Sequence, residues 1–149
     1  MGLRKSMILT PLLVLLVTVD ITKCCYCPPA PFRDQFCESP FAIRGIVESG
    51  DEVWNDFERV YTRYTVRVEQ VYREPSDETI GDSLTISVPY QSSMCGMTLT
   101  EGRDYIIGGY VYPSDIEKYE VNGCGLTEFY ENLTADQLAG INGAYGCSL

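Results

Sequence analysis

The sequence predicts a small, mainly β domain, built as a partly open antiparallel barrel of five strands with a helix at its C-terminal end. Three observations predict this fold class. Five segments between residues 41 and 124 have strand character, the final segment changes to helical spacing, and cysteines lie near both ends of the domain. A β-sandwich with a similar number of strands is the alternative.

The five predicted strands are short and are separated by polar segments. In one of them, Tyr64, Val66 and Val68 alternate with polar side chains, as expected for a strand with one buried face. A polar loop is expected at 48–59, and within it Gly50–Asp56 holds Trp54, the only tryptophan. The predicted strands are 41–47, 61–72, 83–90, 104–112 and 118–124.

Helical signals occur at both ends of the domain. Thr134 and Gln137 have the spacing of a capping box, in the segment LTADQLAGINGAYGC. Gly140 and Gly143 each weaken such a helix by about 1 kcal/mol relative to alanine, so it depends on packing against the sheet and on a disulfide at Cys147. Nearer the start, PFRDQFC predicts a short helical turn, because its proline suits the first helical position. Five strands, a terminal helix and crosslinked ends together favour a barrel of the OB type.

The first 24 residues have the features of a secretory signal peptide. Arg4 and Lys5 precede an apolar run at 7–19, which is too short to span a bilayer, since that needs about 20 residues. Thr22 and Cys24 are small residues at suitable positions for cleavage after Cys24. We therefore expect a protein secreted to the extracellular space or the extracellular matrix, with no membrane span.

Charge and composition limit the possible functions of the remaining chain, which we divide into one domain (25–147) and a short tail (148–149). The full sequence has a formal net charge of −10, and removal of residues 1–24 makes it about −12, since three basic residues and one acidic residue are lost. This charge repels phosphate backbones, so no nucleic-acid partner is expected. Histidine is absent, which excludes a Ser-His-Asp triad and an HExxH zinc site. Carboxylates are plentiful, but no spacing among them indicates a glycosidase. We expect a monomer that is not an enzyme and has no cofactor of its own.

The cysteine count indicates a disulfide framework. The chain has seven cysteines, and cleavage after Cys24 leaves an even set, which is typical of a small secreted domain. A zinc site is the competing interpretation, but the spacings do not form two CxxC pairs and histidine is absent. The sequence alone does not choose among the possible pairings. The six cysteines are Cys25, Cys27, Cys37, Cys95, Cys124 and Cys147.

The order of these cysteines resembles that of a known inhibitor family. The motifs are CYCPPAPFRDQFC, then FAIRG, SSMCG and DYIIGG, then a lone cysteine, and finally LTADQLAGINGAYGC. This pattern resembles the N-terminal inhibitory domain of the tissue inhibitors of metalloproteinases, a netrin-like domain, over residues 25–149. Animal members usually add a second domain with six further cysteines. The sequence resembles a single-domain member of the sort found in invertebrates.

The resemblance implies both a disulfide pattern and a mechanism. The α-amine and carbonyl oxygen of Cys25 would chelate the catalytic zinc of a matrix-type or disintegrin-type metalloprotease, and the zinc would belong to the enzyme. Tyr26 would enter the main specificity pocket, where familiar members have a small Ser or Thr. The implied disulfides are Cys25–Cys95, Cys27–Cys124 and Cys37–Cys147.

Further contact residues follow from the same resemblance. Cys27 and Pro28 extend the inhibitory edge. Apart from the resemblance, Trp54 is expected to make an outer contact, because lone aromatic residues on loops often anchor interfaces; the alternative is that it covers the barrel. The turn of Ser93, Met94, Cys95 and Gly96 would lie beside the zinc-binding residue. Independently, Asn132-Leu133-Thr134 is a sequon for N-glycosylation.

Two other hypotheses stay open at the level of the sequence. The domain could be a non-inhibitory netrin-like binding module with a matrix, signalling or innate-immune role. It could also be a defence protein for which a protease target is secondary. The departure at Tyr26 motivates the first of these.

Overall fold

The computed structural model describes residues 25–113 and 117–147. The expected signal peptide (1–24) and tail (148–149) lie outside the described residues. The strands are β1 (Phe41–Asn55), β2 (Glu58–Arg73), β3 (Ser83–Pro89), β4 (Asp104–Val111), β5 (Tyr119–Glu120) and β6 (Thr127–Phe129), and the α-helices are α1 (Phe32–Glu38) and α2 (Ala135–Ala139). Short helical turns occur at Ser92–Met94, Tyr130–Asn132 and Gly140–Ala144.

Five of the strands form a closed ring in the order β1-β2-β3-β5-β4, because β4 also pairs with β1. The closure excludes the sandwich and confirms the predicted five-stranded barrel with a C-terminal helix. All of these pairings are antiparallel except that of β3 with β5, which is parallel and joins Ser87 to Glu120. Strand β6 adds to the outer side of β4; it was not predicted, and its three residues are too few for a periodic pattern.

The expected polar loop at 48–59 is wrong, and so is the placement of Gly50–Asp56 with Trp54 in a loop. Strand β1 continues to Asn55 and pairs with β2 as far as the Asn55–Glu58 pair, so the segment is a long hairpin. Its turn includes Asp56, with a φ of 51°. The segment is mostly exposed, so it lacks the alternation of polar and apolar residues that burial of one face produces. The fifth strand is also shorter than the predicted 118–124.

Two clusters of buried side chains hold the domain together. The first fills the barrel and includes Phe41, Ile43, Val66 and Ile107. The second lies between the outside of the barrel and the helices, and its members are Phe36, Ala42, Ile106, Leu126, Leu133 and Ile141. The helices therefore cover one outer face of the barrel.

The C-terminal helix begins as predicted. The Thr134 hydroxyl accepts a hydrogen bond from the Gln137 backbone N–H (3.2 Å), and the Gln137 side chain accepts one from the Thr134 N–H (2.8 Å). The helix continues into a wider turn at Gly140–Ala144, and the Cys37–Cys147 disulfide joins its end to α1. Within the described ranges, no helix combines the length and apolar character needed to cross a membrane.

Candidate functional site

Two neighbouring disulfides fix the first described residues against the barrel. Cys25 is bonded to Cys95, and Cys27 is bonded to Cys124. The two bridges are adjacent, since the Sγ atoms of Cys95 and Cys124 are 3.3 Å apart. Together with Cys37–Cys147, these are the pairs that the family resemblance implies. The segment 25–27 is thereby anchored at both of its ends.

Tyr26 lies between the two anchored cysteines and projects outward. Its side chain is 81% exposed, whereas Cys25 and Cys27 are half-buried. Pro28, which follows, is exposed and borders a cavity of about 270 Å³ behind the segment, together with Tyr110 and Gly125. A fixed backbone with one exposed aromatic side chain is a suitable arrangement for insertion into a pocket of another protein.

The bridge from Cys25 leads into a tight turn at 91–96, which we call the Cys95 turn. The Gln91 carbonyl oxygen accepts hydrogen bonds from the backbone N–H groups of Met94 (3.1 Å) and Gly96 (2.9 Å). Cys95 itself is in the left-handed region, with a φ of 56°. Its carbonyl oxygen accepts a hydrogen bond from Gly123 N–H at 2.7 Å, which ties the turn to the segment before Cys124.

The outer side chains of the Cys95 turn are accessible. Ser93 and Met94 are both exposed, and the Cys25–Cys95 bridge places them beside the N-terminal segment. The structure thus brings together Cys25, Tyr26, Cys27, Pro28 and the turn, as the family resemblance implies. We call this combined surface the N-terminal edge.

Trp54 is not part of the N-terminal edge. It lies near the end of the β1–β2 hairpin, is 58% exposed, and donates a hydrogen bond from Nε1 to Glu52 (3.2 Å). Phe57, at the turn of the hairpin, is 98% exposed. The sequence analysis did not identify it as a candidate contact residue. The Asn-Asp dipeptide that precedes it is a turn signal that could have indicated the hairpin.

The sulfur atoms of the N-terminal edge are close enough to raise the question of a metal. Those of Cys25, Cys27, Cys95 and Cys124 all lie within 4.8 Å of one another. Thiolates are the form of cysteine that binds metals, and all four sulfurs are bonded in disulfides. These four sulfurs are therefore not available as metal ligands.

Two of the groups with shifted pKa values in the domain lie on strand β5. Burial, followed by a hydrogen bond with Glu78, raises the pKa of Tyr119 to about 12. Burial also raises the pKa of the Glu120 carboxyl, although a hydrogen bond with Asn122 lowers that pKa in part. These groups lie in and beside a barrel strand, and we assign them no role in the candidate site.

Asn132 is in an exposed helical turn before α2. The hydroxyl of Thr134, the third residue of the sequon, caps α2. The predicted glycosylation of Asn132 stays a prediction.

Comparisons with known proteins agree with this geometry. The sequence model of the family described as "Tissue inhibitor of metalloproteinase" matches residues 23–148. The chain is 33% identical over 127 residues to Metalloproteinase inhibitor 3 of Xenopus laevis, with 83% of this chain and 56% of the relative covered. It is 25% identical over 151 residues to a tissue inhibitor of metalloproteinase of Drosophila melanogaster, covering 97% of this chain and 66% of the relative.

A further relative has a less specific name. The chain is 30% identical over 127 residues to an NTR domain-containing protein of Margaritifera margaritifera, with 82% of this chain and 80% of the relative covered. The chain thus covers a large part of this relative but only 56% of the length of the Xenopus inhibitor.

Proposed function

The chain belongs to the tissue inhibitor of metalloproteinase family, and on this basis we propose that it is a secreted inhibitor of zinc metalloendopeptidases and not an enzyme. One observation carries the proposal. An exposed Tyr26 lies between two cysteines that are both bonded to the barrel, so the N-terminal edge is rigid and still accessible to another protein. Its partners would be extracellular proteases of the matrix or disintegrin type.

The chemical group that would inhibit is the main chain of Cys25. After removal of residues 1–24, this residue has a free α-amine on Cα and a carbonyl oxygen on the adjacent backbone carbon. These two atoms can chelate one metal ion in a five-membered ring. A catalytic zinc in a metalloprotease keeps one position open for water, so chelation would displace the nucleophile. The Cys25 thiol is not available, because it is bonded to Cys95.

Rigidity is what would make such a short contact effective. A free chain terminus loses conformational freedom on binding, and this loss weakens affinity. Here Cys25 and Cys27 are each tied to the barrel, and the φ angles of Pro28 and Pro29 are fixed by their rings. The N-terminal segment is therefore already held in one conformation before it binds the enzyme, so it loses little conformational freedom on binding.

Tyr26 would determine which enzymes are inhibited. Its ring follows the zinc-binding residue directly and would enter the main specificity pocket. A tyrosine is large, so enzymes with deep pockets would be inhibited and those with shallow pockets would be excluded by steric clash. Ser93 and Met94 on the Cys95 turn would contact the enzyme beside this pocket, and Trp54 on the hairpin would contact it further out.

A titration against a panel of proteases tests this function. The mature chain, with its N-terminus established by sequencing, is titrated against matrix-type and disintegrin-type catalytic domains. We expect stoichiometric inhibition of deep-pocket enzymes and weak inhibition of shallow-pocket ones. A mature chain that begins at Cys25 and inhibits none of them would refute the proposal.

One observation favours a second function, that of a non-inhibitory netrin-like binding module. The relative from Margaritifera is named only for its NTR domain. This function does not need a free amine on Cys25. A secreted chain that begins before Cys25 would therefore favour the binding module over the inhibitor.

A further inference from the structure

The β1–β2 hairpin is attached to the Cys95 turn by contacts outside the barrel. The guanidinium of Arg59 lies over the ring of Tyr90, with Cζ 4.2 Å from the ring centroid. The Tyr90 backbone N–H donates to the Val60 carbonyl oxygen at 3.0 Å. Gln91 Nε2 donates to Glu58 Oε1 at 2.5 Å. Three consecutive residues of β2 thus hold the two residues that lead into the Cys95 turn.

Arg59 is itself held in one position. Its Nη1 is paired with Glu52 Oε1 at 2.7 Å, and its Nη2 donates to Thr62 Oγ1 at 2.6 Å. Only 21% of its side chain is exposed. The planar guanidinium therefore joins β1, β2 and Tyr90 at once, an arrangement that the single ammonium of a lysine cannot reproduce.

The outer part of the hairpin, residues 52–59, has no other strand beside it within the described part of the chain. The β1–β4 pairing extends only from Phe41 to Ile46, and the β2–β3 pairing ends at Tyr61. We call these residues the hairpin tip. The tip holds Trp54 and Phe57, both exposed. Its direction relative to the N-terminal edge thus depends on the contacts of Arg59 and Glu58 with Tyr90 and Gln91.

We infer that Arg59 is a positioning residue, which holds the hairpin tip and the N-terminal edge as one rigid surface for the target enzyme. The inference rests on the proposed function. Arg59 does not itself need to touch the enzyme, because it fixes the direction in which Trp54 and Phe57 point. A tip that is ordered beforehand loses less freedom on binding and so contributes more to affinity.

The test compares variants of the mature chain in two measurements. The first is hydrogen exchange of the backbone amides of the tip, and the second is the association and dissociation rate constants with one inhibited metalloprotease. The variants are Arg59→Met, Tyr90→Leu and Tyr90→Phe. Arg63→Met is the matched control, because Arg63 is on the same strand and pairs with Glu117 (3.3 Å). Each of these variants is also made in a chain that carries both Trp54→Ala and Phe57→Ala, and both measurements are repeated.

We expect Arg59→Met and Tyr90→Leu to speed exchange in the tip and to weaken inhibition roughly three- to tenfold, the size of a lost cation–π contact. Tyr90→Phe keeps the aromatic ring, so it should behave as the unmodified chain, and so should Arg63→Met. In the background that lacks Trp54 and Phe57, the loss of affinity should disappear.

Unchanged exchange of the tip in Arg59→Met would overturn the inference. So would an equal loss of affinity with and without Trp54 and Phe57, because the effect would then not pass through the tip. If the unmodified chain inhibits no metalloprotease, it is the proposed function that fails. The exchange measurement alone then decides whether Arg59 holds the tip.

Discussion

Gly96 lies against the carbonyl oxygen of Pro89, so closely that a Cβ on Gly96 would be 2.6 Å from that oxygen. The carbonyl oxygens of Tyr90 and Gln91 would each be 2.7 Å from the same Cβ. Such distances are too short for non-bonded atoms, and the obstacle is backbone, which cannot rotate away as a side chain can. The Cys95 turn can therefore close only with glycine at this position.

Gly96→Ala should disturb the turn that places Cys95 beneath Cys25. We expect a loss of stability of about 1–3 kcal/mol, the usual cost of overpacking, together with weaker inhibition. Urea denaturation measures the first effect and protease titration the second. Gly81→Ala is the matched control, because nothing lies within 4 Å of its Cβ position. Equal stability of the two variants would contradict this description of the turn.

Tyr26→Thr should broaden the range of enzymes inhibited. The side chain is almost fully exposed, so its truncation should leave the urea midpoint of the chain unchanged. Inhibition of shallow-pocket metalloproteases should strengthen, because the clash of the tyrosine ring is removed. Inhibition constants for one deep-pocket and one shallow-pocket enzyme are the measurement. If the ratio of the two constants does not change, Tyr26 does not enter the specificity pocket.

Inhibition should weaken as the pH falls, because the α-amine of Cys25 must lose its proton to bind zinc. Its ordinary pKa is about 7.7–8.0. Below that pKa the deprotonated fraction, and with it the apparent affinity, should fall about tenfold per pH unit. The control is a synthetic zinc-binding inhibitor that does not titrate in the same range, since it corrects for titration of the enzyme. Parallel pH profiles for the two inhibitors would argue against amine coordination.

Gly140→Ala should destabilise the domain, because its Cβ would lie 2.1 Å from Cζ of the Tyr145 ring. That ring packs beside Phe36, with their centroids 5.9 Å apart. We expect a loss of about 1–3 kcal/mol in the free energy of unfolding, measured by urea denaturation. If the ring is the cause, the cost should shrink in a Tyr145→Ala background.

The same glycine shows where sequence reasoning stops. From the sequence, Gly140 only weakens a helix. In the structure it makes room for an aromatic ring five residues later, and that contact has no local signal. The capping box of Thr134 and Gln137, by contrast, was predictable because it depends on residues three apart.

The barrel was predictable for a similar reason. Alternation along Tyr64, Val66 and Val68 reflects one buried face, which each strand in the barrel shares. The hairpin beyond Gly50 leaves the barrel and has no such pattern, so it read as a loop. The contact of Arg59 with Tyr90 joins residues distant in the sequence, and no spacing rule indicates it.

The site was predictable only in part from the residues themselves. Composition and cysteine count indicated a crosslinked secreted domain, but they did not choose the disulfide pairs. The order of the cysteine motifs chose them, through resemblance to a family. The exposure of Phe57 could not be predicted from the sequence, because it follows from the length of the hairpin, which only the structure shows.

The central claim is that the α-amine of Cys25 coordinates the zinc of the target enzyme. The most direct measurement compares the mature chain with the same chain extended by one alanine before Cys25, against one metalloprotease. The account predicts that the extended chain folds with the same urea midpoint but inhibits roughly a hundredfold more weakly or worse, since a metal contact contributes several kcal/mol. Equal inhibition by the two chains would contradict it.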